Sequence, residues 1–166
     1  MAGPCVKAVI LWAALGLPGL ALAATTAVMQ VSASIEAGCL IVGGSTQFGT
    51  LEFGSVPAVA SQKISARSTN AVQLQCTPGV ALSMTVDGGQ HPDNGRHLQL
   101  EGSSVRVAYE LFNDVGLTQA LGVGQRVAVG TVDDGIAEVP IYGQVRVSGD
   151  VPAGRYRDVV QVELSW

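Results

Sequence analysis

The segment Arg155-Tyr156-Arg157-Asp158-Val159-Val160-Gln161-Val162-Glu163-Leu164-Ser165-Trp166 alternates like a β-strand up to its last residue. Tyr156, Val160, Val162, Leu164 and Trp166 fall on one face. Arg155, Arg157, Val159, Gln161, Glu163 and Ser165 fall on the other, because successive side chains of a strand point to opposite sides. A strand that stops on its apolar face, without a polar tail, is expected to leave a hydrophobic edge for something else to cover. Near the other end of the chain, Ala27, Met29, Val31, Ala33 and Ile35 form a second alternating apolar strip. One strip lacks a neighbour and the other has little of its own domain before it. The pair points to assembly of one copy on another.

Upstream of the second strip lie Lys7, an uncharged apolar run over residues 8–17, Pro18-Gly19 and then Ala21-Leu22-Ala23. A short positive region, an apolar core and a small-x-small site predict a cleavable secretory signal over residues 1–23, with Ala24 as the alternative cleavage point. The apolar run is too short to span a membrane comfortably, and Pro18-Gly19 interrupts it. Cys5 precedes the run and leaves with it. Cleavage leaves residues 24–166, one domain of ordinary size. With Lys7 gone, eight basic residues stand against thirteen acidic ones. No lysine run or basic patch remains, which argues against nucleic acid and against an anionic membrane surface as partners. Two cysteines are left, Cys39 and Cys76, and an even pair in an exported chain is most simply a disulfide. Closing a loop of this length contributes on the order of 4 kcal/mol in the chain-entropy model.

Beyond the leader no helical stripe of useful length occurs. Period-2 runs predict strands over 27–41, 47–53, 72–76, 81–86, 105–112, 127–131, 136–147 and 155–166. Breaks fall at Gly43-Gly44, Gly54-Ser55-Val56-Pro57, Thr77-Pro78-Gly79, Asp87-Gly88-Gly89, Pro92-Asp93-Asn94-Gly95, Asp133-Asp134-Gly135 and Pro152-Ala153-Gly154. Short strands at this spacing in a glycine-rich chain predict an antiparallel sandwich in a single domain.

Residues for chemistry are sparse. His91 and His97 flank Pro92-Asp93-Asn94-Gly95-Arg96, which reads as a solvated turn and not as a metal site. Asp133-Asp134 reads as a hairpin tip without the full calcium-loop pattern. Asp87-Gly88-Gly89 reads as a turn lacking the helix that a phosphate cradle requires. No Gly-x-Ser-x-Gly elbow occurs, and both histidines lie in one loop. No catalytic residue, metal ligand or cofactor is expected.

Several pieces of the chain carry a resemblance when taken in order. They are Ala37-Gly38-Cys39, then Phe48-Gly49-Thr50-Leu51-Glu52-Phe53-Gly54, Val72-Gln73-Leu74-Gln75-Cys76 and Val86-Asp87-Gly88-Gly89. Tyr109-Glu110-Leu111-Phe112-Asn113-Asp114, Val139-Pro140-Ile141-Tyr142-Gly143 and Gly154-Arg155-Tyr156-Arg157-Asp158-Val159-Val160-Gln161-Val162 complete the series. The chain resembles the Csu-type subunits of archaic chaperone–usher pili, the spore coat protein U family. The resemblance implies an all-β fold, an incomplete immunoglobulin-like antiparallel sandwich lacking its last strand and completed by a donor strand. It implies a donor segment over residues 24–35, with Ala27, Met29, Val31, Ala33 and Ile35 pointing into a neighbour's groove, and a pilin domain over 36–166. The edge at Tyr156, Val160, Val162, Leu164 and Trp166 is then the chaperone and groove edge. The implied partners are identical or related pilin subunits, a periplasmic chaperone and an outer-membrane usher. The implied route is export through the inner membrane to the periplasm and on to the cell surface, for a fibre serving adhesion or biofilm. Two other readings stand beside the fibre subunit: a secreted spore or cell-surface coat protein, and a tip adhesin, although tip subunits usually carry two domains. The bland reading of the N-terminal strip is an ordinary first strand packed in its own domain.

Overall fold

The computed structural model describes residues 26–44 and 47–166. The expected leader over residues 1–23 lies outside the described residues. The chain divides into two units between Ser34 and Ile35.

In the first unit, residues 26–34 form no strand and are exposed throughout. Val28 is 95 % exposed and Met29 and Val31 are each 82 % exposed. The strand expected over 27–41 is therefore cut down to its last three residues, β1 (Cys39–Ile41). The reason is pairing: extended backbone needs a partner ladder, and within the domain that ladder begins at Cys39.

In the second unit, β1 is followed by β2 (Ser61–Arg67), β3 (Val72–Cys76), β4 (Val80–Val86), β5 (Arg96–Leu100) and β6 (Arg106–Phe112). Then come β7 (Arg126–Val132), β8 (Ile136–Val139), β9 (Tyr142–Ser148), β10 (Tyr156–Arg157) and β11 (Val162–Ser165). They form three antiparallel sheets in the orders β1-β3-β8, β10-β5-β6-β9-β2 and β11-β4-β7. The inner faces meet in one core. Leu74 of β3, Met84 and Val86 of β4 and Val139 of β8 are the largest fully buried side chains, and Val107, Tyr109 and Val145 join them from the five-stranded sheet. Alternation accounts for the faces: Val72, Leu74 and Cys76 are buried while Gln73 and Gln75 are exposed.

Two strands were not legible. β2 reads Ser-Gln-Lys-Ile-Ser-Ala-Arg, and as the outermost strand of its sheet it buries little beyond Ile64. β5 was expected to begin as a turn, with His97 at its rim, yet His97 lies within the strand, opposite Ala108. Its inward positions are Arg96, Leu98 and Leu100, so a buried arginine opens the apolar row and hides the period. Arg96 is 4 % exposed, and its guanidinium donates to the carbonyls of Asp87 (2.6 Å), Leu121 (2.5 Å), Val86 (2.8 Å) and Gly122 (3.4 Å). Burial draws its pKa below the ordinary arginine value.

Cys39 and Cys76 are joined by a disulfide and sit directly opposite each other on β1 and β3. β3 is the central strand of its sheet, so the bridge fastens an edge strand of three residues to the core. Replacing both cysteines by serine should lower unfolding stability in denaturant titrations by about 2–5 kcal/mol. Thiol labelling of the denatured, unreduced wild type should find no free thiol at either position.

Candidate functional site

The C-terminal segment, expected as one strand over 155–166, is broken in two. β10 pairs with β5 and β11 pairs with β4, so residues 158–161 carry the chain from the five-stranded sheet to the β11-β4-β7 sheet. The motif Asp87-Gly88-Gly89 seats this crossing. Asp87 N–H donates to the Gln161 carbonyl at 3.0 Å, and its Oδ1 accepts from the N–H groups of Gln161 at 2.9 Å and Gly89 at 3.0 Å. Asp158 accepts from Gln90 N–H at 2.8 Å and from the Tyr109 hydroxyl at 2.7 Å. Gly89 has φ of +75°, and a Cβ there would fall 2.0 Å from Asp158 Oδ2. Only glycine fits. Burial, and then the bond to Asp158, push the Tyr109 phenol well above its ordinary 10.0.

Both halves of the segment are edge strands, as is β1, so each leaves one side of its backbone unpaired among the described residues. Tyr156, Val160, Val162 and Leu164 are half-buried and pack against the core. Trp166, beyond the end of β11, is 57 % exposed, with its indole beside Gly38 at the start of β1.

Beside β10 the inner face of the five-stranded sheet is only partly covered: Ile64 and Leu98 are half-buried, while Val107 and Val145 beneath them are buried. A groove of about 860 Å³ runs over Ile64, Leu98, Val107 and Val145, lined by residues 50–56 and by residues 151–158. Of the five residues read as the edge, Tyr156 lines this groove, and the other four do not. Residues 47–53, expected as a strand, make only one isolated bridge, Leu51 to Ser68, with Thr69 N–H donating to the Thr50 carbonyl at 2.8 Å. Leu51 and Phe53 instead lie over Gly143, where a Cβ would meet both side chains at 3.0 Å. The Phe53 ring reaches Tyr109 at a tilt of 60° with centroids 6.4 Å apart. Glycine at 143 thus makes room for the apolar pair beside the groove. The groove's floor residues escaped the sequence reading because each is one apolar position in a different strand. The five residues of the N-terminal strip are all exposed, Ile35 at 97 %.

The fold is that of an immunoglobulin-like pilus subunit. Residues 25–163 match the model of the Spore Coat Protein U domain, and the chain belongs to that family. Protein U of Myxococcus xanthus is similar to it, at 29 % identity over 87 % of this chain and 86 % of the relative. Among solved structures, the P pilus rod subunit PapA superposes with a TM-score of 0.55 at 18 % identity, covering 76 % of this chain and 97 % of that one. The chaperone–tip adhesion subunit pre-assembly complex CsuC–CsuE of the archaic Csu pili of Acinetobacter baumannii gives 0.51 at 17 % identity. That match covers 80 % of this chain and 41 % of that one, so this chain spans about two fifths of its length.

Gly89→Ala should unfasten the crossing and lower the melting temperature by several degrees or more, a larger loss than Gly88→Ala produces. The Tyr109 phenol is held neutral in the fold, so its contribution is complete below pH 10 and is lost as pH rises further and the unfolded phenol ionises. Tyr109→Phe should be less stable than wild type at pH 7, and should lose less stability between pH 9 and pH 11 in parallel denaturant titrations.

Proposed function

We propose that the protein is a structural subunit of a chaperone–usher surface fibre, assembled by donor-strand exchange between copies. The observation that carries this reading is an apolar groove beside an edge strand, in a chain whose own alternating N-terminal strip has no ladder partner among the described residues. The donor segment is residues 24–35 and the pilin domain is residues 36–166. Ala27, Met29, Val31, Ala33 and Ile35 of one copy enter the groove of the next. Its backbone pairs with the edge next to Tyr156, by the same β-augmentation that other peptide-binding sheets use. Head-to-tail contacts of this kind do not close and therefore grow a filament.

Before assembly the groove and the edge formed by Tyr156, Val160, Val162, Leu164 and Trp166 are the docking surface of a periplasmic chaperone. An outer-membrane usher then exchanges the chaperone for the next subunit. The leader over residues 1–23 directs export to the periplasm, and the finished fibre lies on the cell surface. The role is structural and involves no catalysis. The description of the family as Spore Coat Protein U favours a second reading, in which the same exchange builds a spore or cell-surface coat.

Deleting residues 24–34 should leave a chaperone-bound monomer that cannot extend a polymer, with the disulfide intact because Cys39 lies outside the deletion. Transferring the segment behind Trp166 on a flexible linker should give a stable monomer without chaperone, since donation becomes intramolecular at high effective concentration. Polymers from the deleted chain, or continued aggregation of the linked one, would rule out donor exchange. Shearing the cell surface separates fibre from coat: a boiling-sensitive ladder in the sheared fraction is the fibre's result. Leu164→Asp should abolish periplasmic accumulation, because burying one large apolar side chain contributes about 1.5–3 kcal/mol.

A further inference from the structure

The outer face of the five-stranded sheet gathers cations that the sequence scatters. Registers across β10-β5-β6-β9-β2 place Arg157, Arg106, Arg146, Lys63 and Arg67 on this face, five of the chain's nine lysines and arginines. The carboxylates that meet them are few. Glu101 pairs with Arg157 at 2.9 Å, and Glu138 reaches Arg67 from the neighbouring sheet at 3.0 Å. Glu110 lies on the face opposite Gln144, and Asp150 is bonded to the Ser148 hydroxyl at its margin. Arg106, Arg146 and Lys63 make no ion pair among the described residues, although Arg106 donates to Gln99 at 3.1 Å. Lys63 and Arg146 stand directly opposite each other on β2 and β9, both exposed. Like charges facing across a ladder are destabilising. Next to Arg146 the position on β6 is Ala108, also exposed, so nothing bulky covers the guanidinium from that side. A chain of net charge −4 therefore gathers three cations without ion pairs, among the described residues, on one sheet face. This corrects the expectation that no basic patch remains: no run of basic residues exists in the sequence, and strand register assembles the patch.

We propose that this face binds an extended acidic polysaccharide, one bearing carboxylate or sulfate groups. The face is an extended strand surface, which suits a long chain better than a small anion. The free cations sit on neighbouring strands, spaced about 5–10 Å apart, a distance over which successive charges of an acidic sugar chain can be met. Nucleic acid fits less well. Of the rings on this face, Tyr142 already carries the Arg67 guanidinium 5.8 Å from its ring centre, Phe112 is buried and His97 is half-buried, which leaves no row of open rings for successive bases. Three unpaired cations give weak binding per copy, and repetition along a polymer strengthens it. Only that strengthening rests on the fibre reading; the face itself belongs to each copy.

The test uses the protein purified in its chaperone-bound form, so it does not depend on whether fibres form. Binding to immobilised polygalacturonate, neutral dextran and double-stranded DNA is measured between 20 and 300 mM salt. The expected result is retention on polygalacturonate that falls with salt, and none on dextran. Lys63→Gln with Arg146→Gln should weaken binding at least fivefold, whereas Arg126→Gln, outside this face, should not. The double variant should melt no lower than wild type, because it removes a repulsion, so lost binding will not reflect lost folding. Undiminished binding by the double variant overturns the proposal. So does equal retention on DNA, which would mark a non-specific cation patch.

Discussion

The crossing at residues 158–161 is the constraint on which the rest of the molecule depends. A single continuous C-terminal strand would close one sheet. The chain instead leaves β5 after two paired residues and joins β4 after the four residues 158–161. Asp87 and Asp158 hold it there by side-chain bonds to backbone N–H groups and to Tyr109, and Gly89 supplies the space that Asp158 occupies. Charge-assisted bonds of this type contribute about 1.5–3 kcal/mol each. The buried Arg96 completes the joint from the β5 side by collecting carbonyls at the end of β4 and in the loop before β7. Lysine could not replace it, because three donors on a flexible stem cannot serve four carbonyls.

The same crossing explains the groove. Because β10 is so short, it covers only the rim of its sheet, and Leu98, Val107, Val145 and Ile64 are left facing the opening. Leu51 and Phe53 close one side without becoming a strand, since Gly143 lets them sink onto the sheet. A surface of this kind is unstable in water as it stands. Apolar side chains gain roughly 25 cal/mol for each Å² removed from water, and an unpaired strand edge offers backbone groups to any extended segment. Covering the groove with an extended segment would therefore add both packing and a hydrogen-bonded ladder.

What was legible in the sequence follows from period. β3, β4, β6 and β7 alternate cleanly and appeared within a residue of their bounds. The disulfide was legible because only two cysteines follow residue 23. β5 was not, since Arg96 occupies an inward position that hydrophobic patterning reserves for apolar residues. β2 was not, because an edge strand buries one side chain in seven positions well enough to matter. The break in the final strand has no local signal: Asp158 looks like an outward polar residue until its partners Gln90 and Tyr109, distant in sequence, are brought to it. The cationic face was invisible for the same reason, being a product of register between four strands.

The central claim is that the N-terminal strip of one copy fills the groove of another. Single cysteines placed at Met29, Val31 or Ala33 in one tagged copy and at Leu98 in a differently tagged copy test it directly, because oxidation of assembled material reports which chains meet. A mixed-tag dimer, formed at one of the three positions and absent when residues 24–34 are deleted, is the predicted result. Assembly that proceeds normally with no mixed-tag dimer at any position would contradict it.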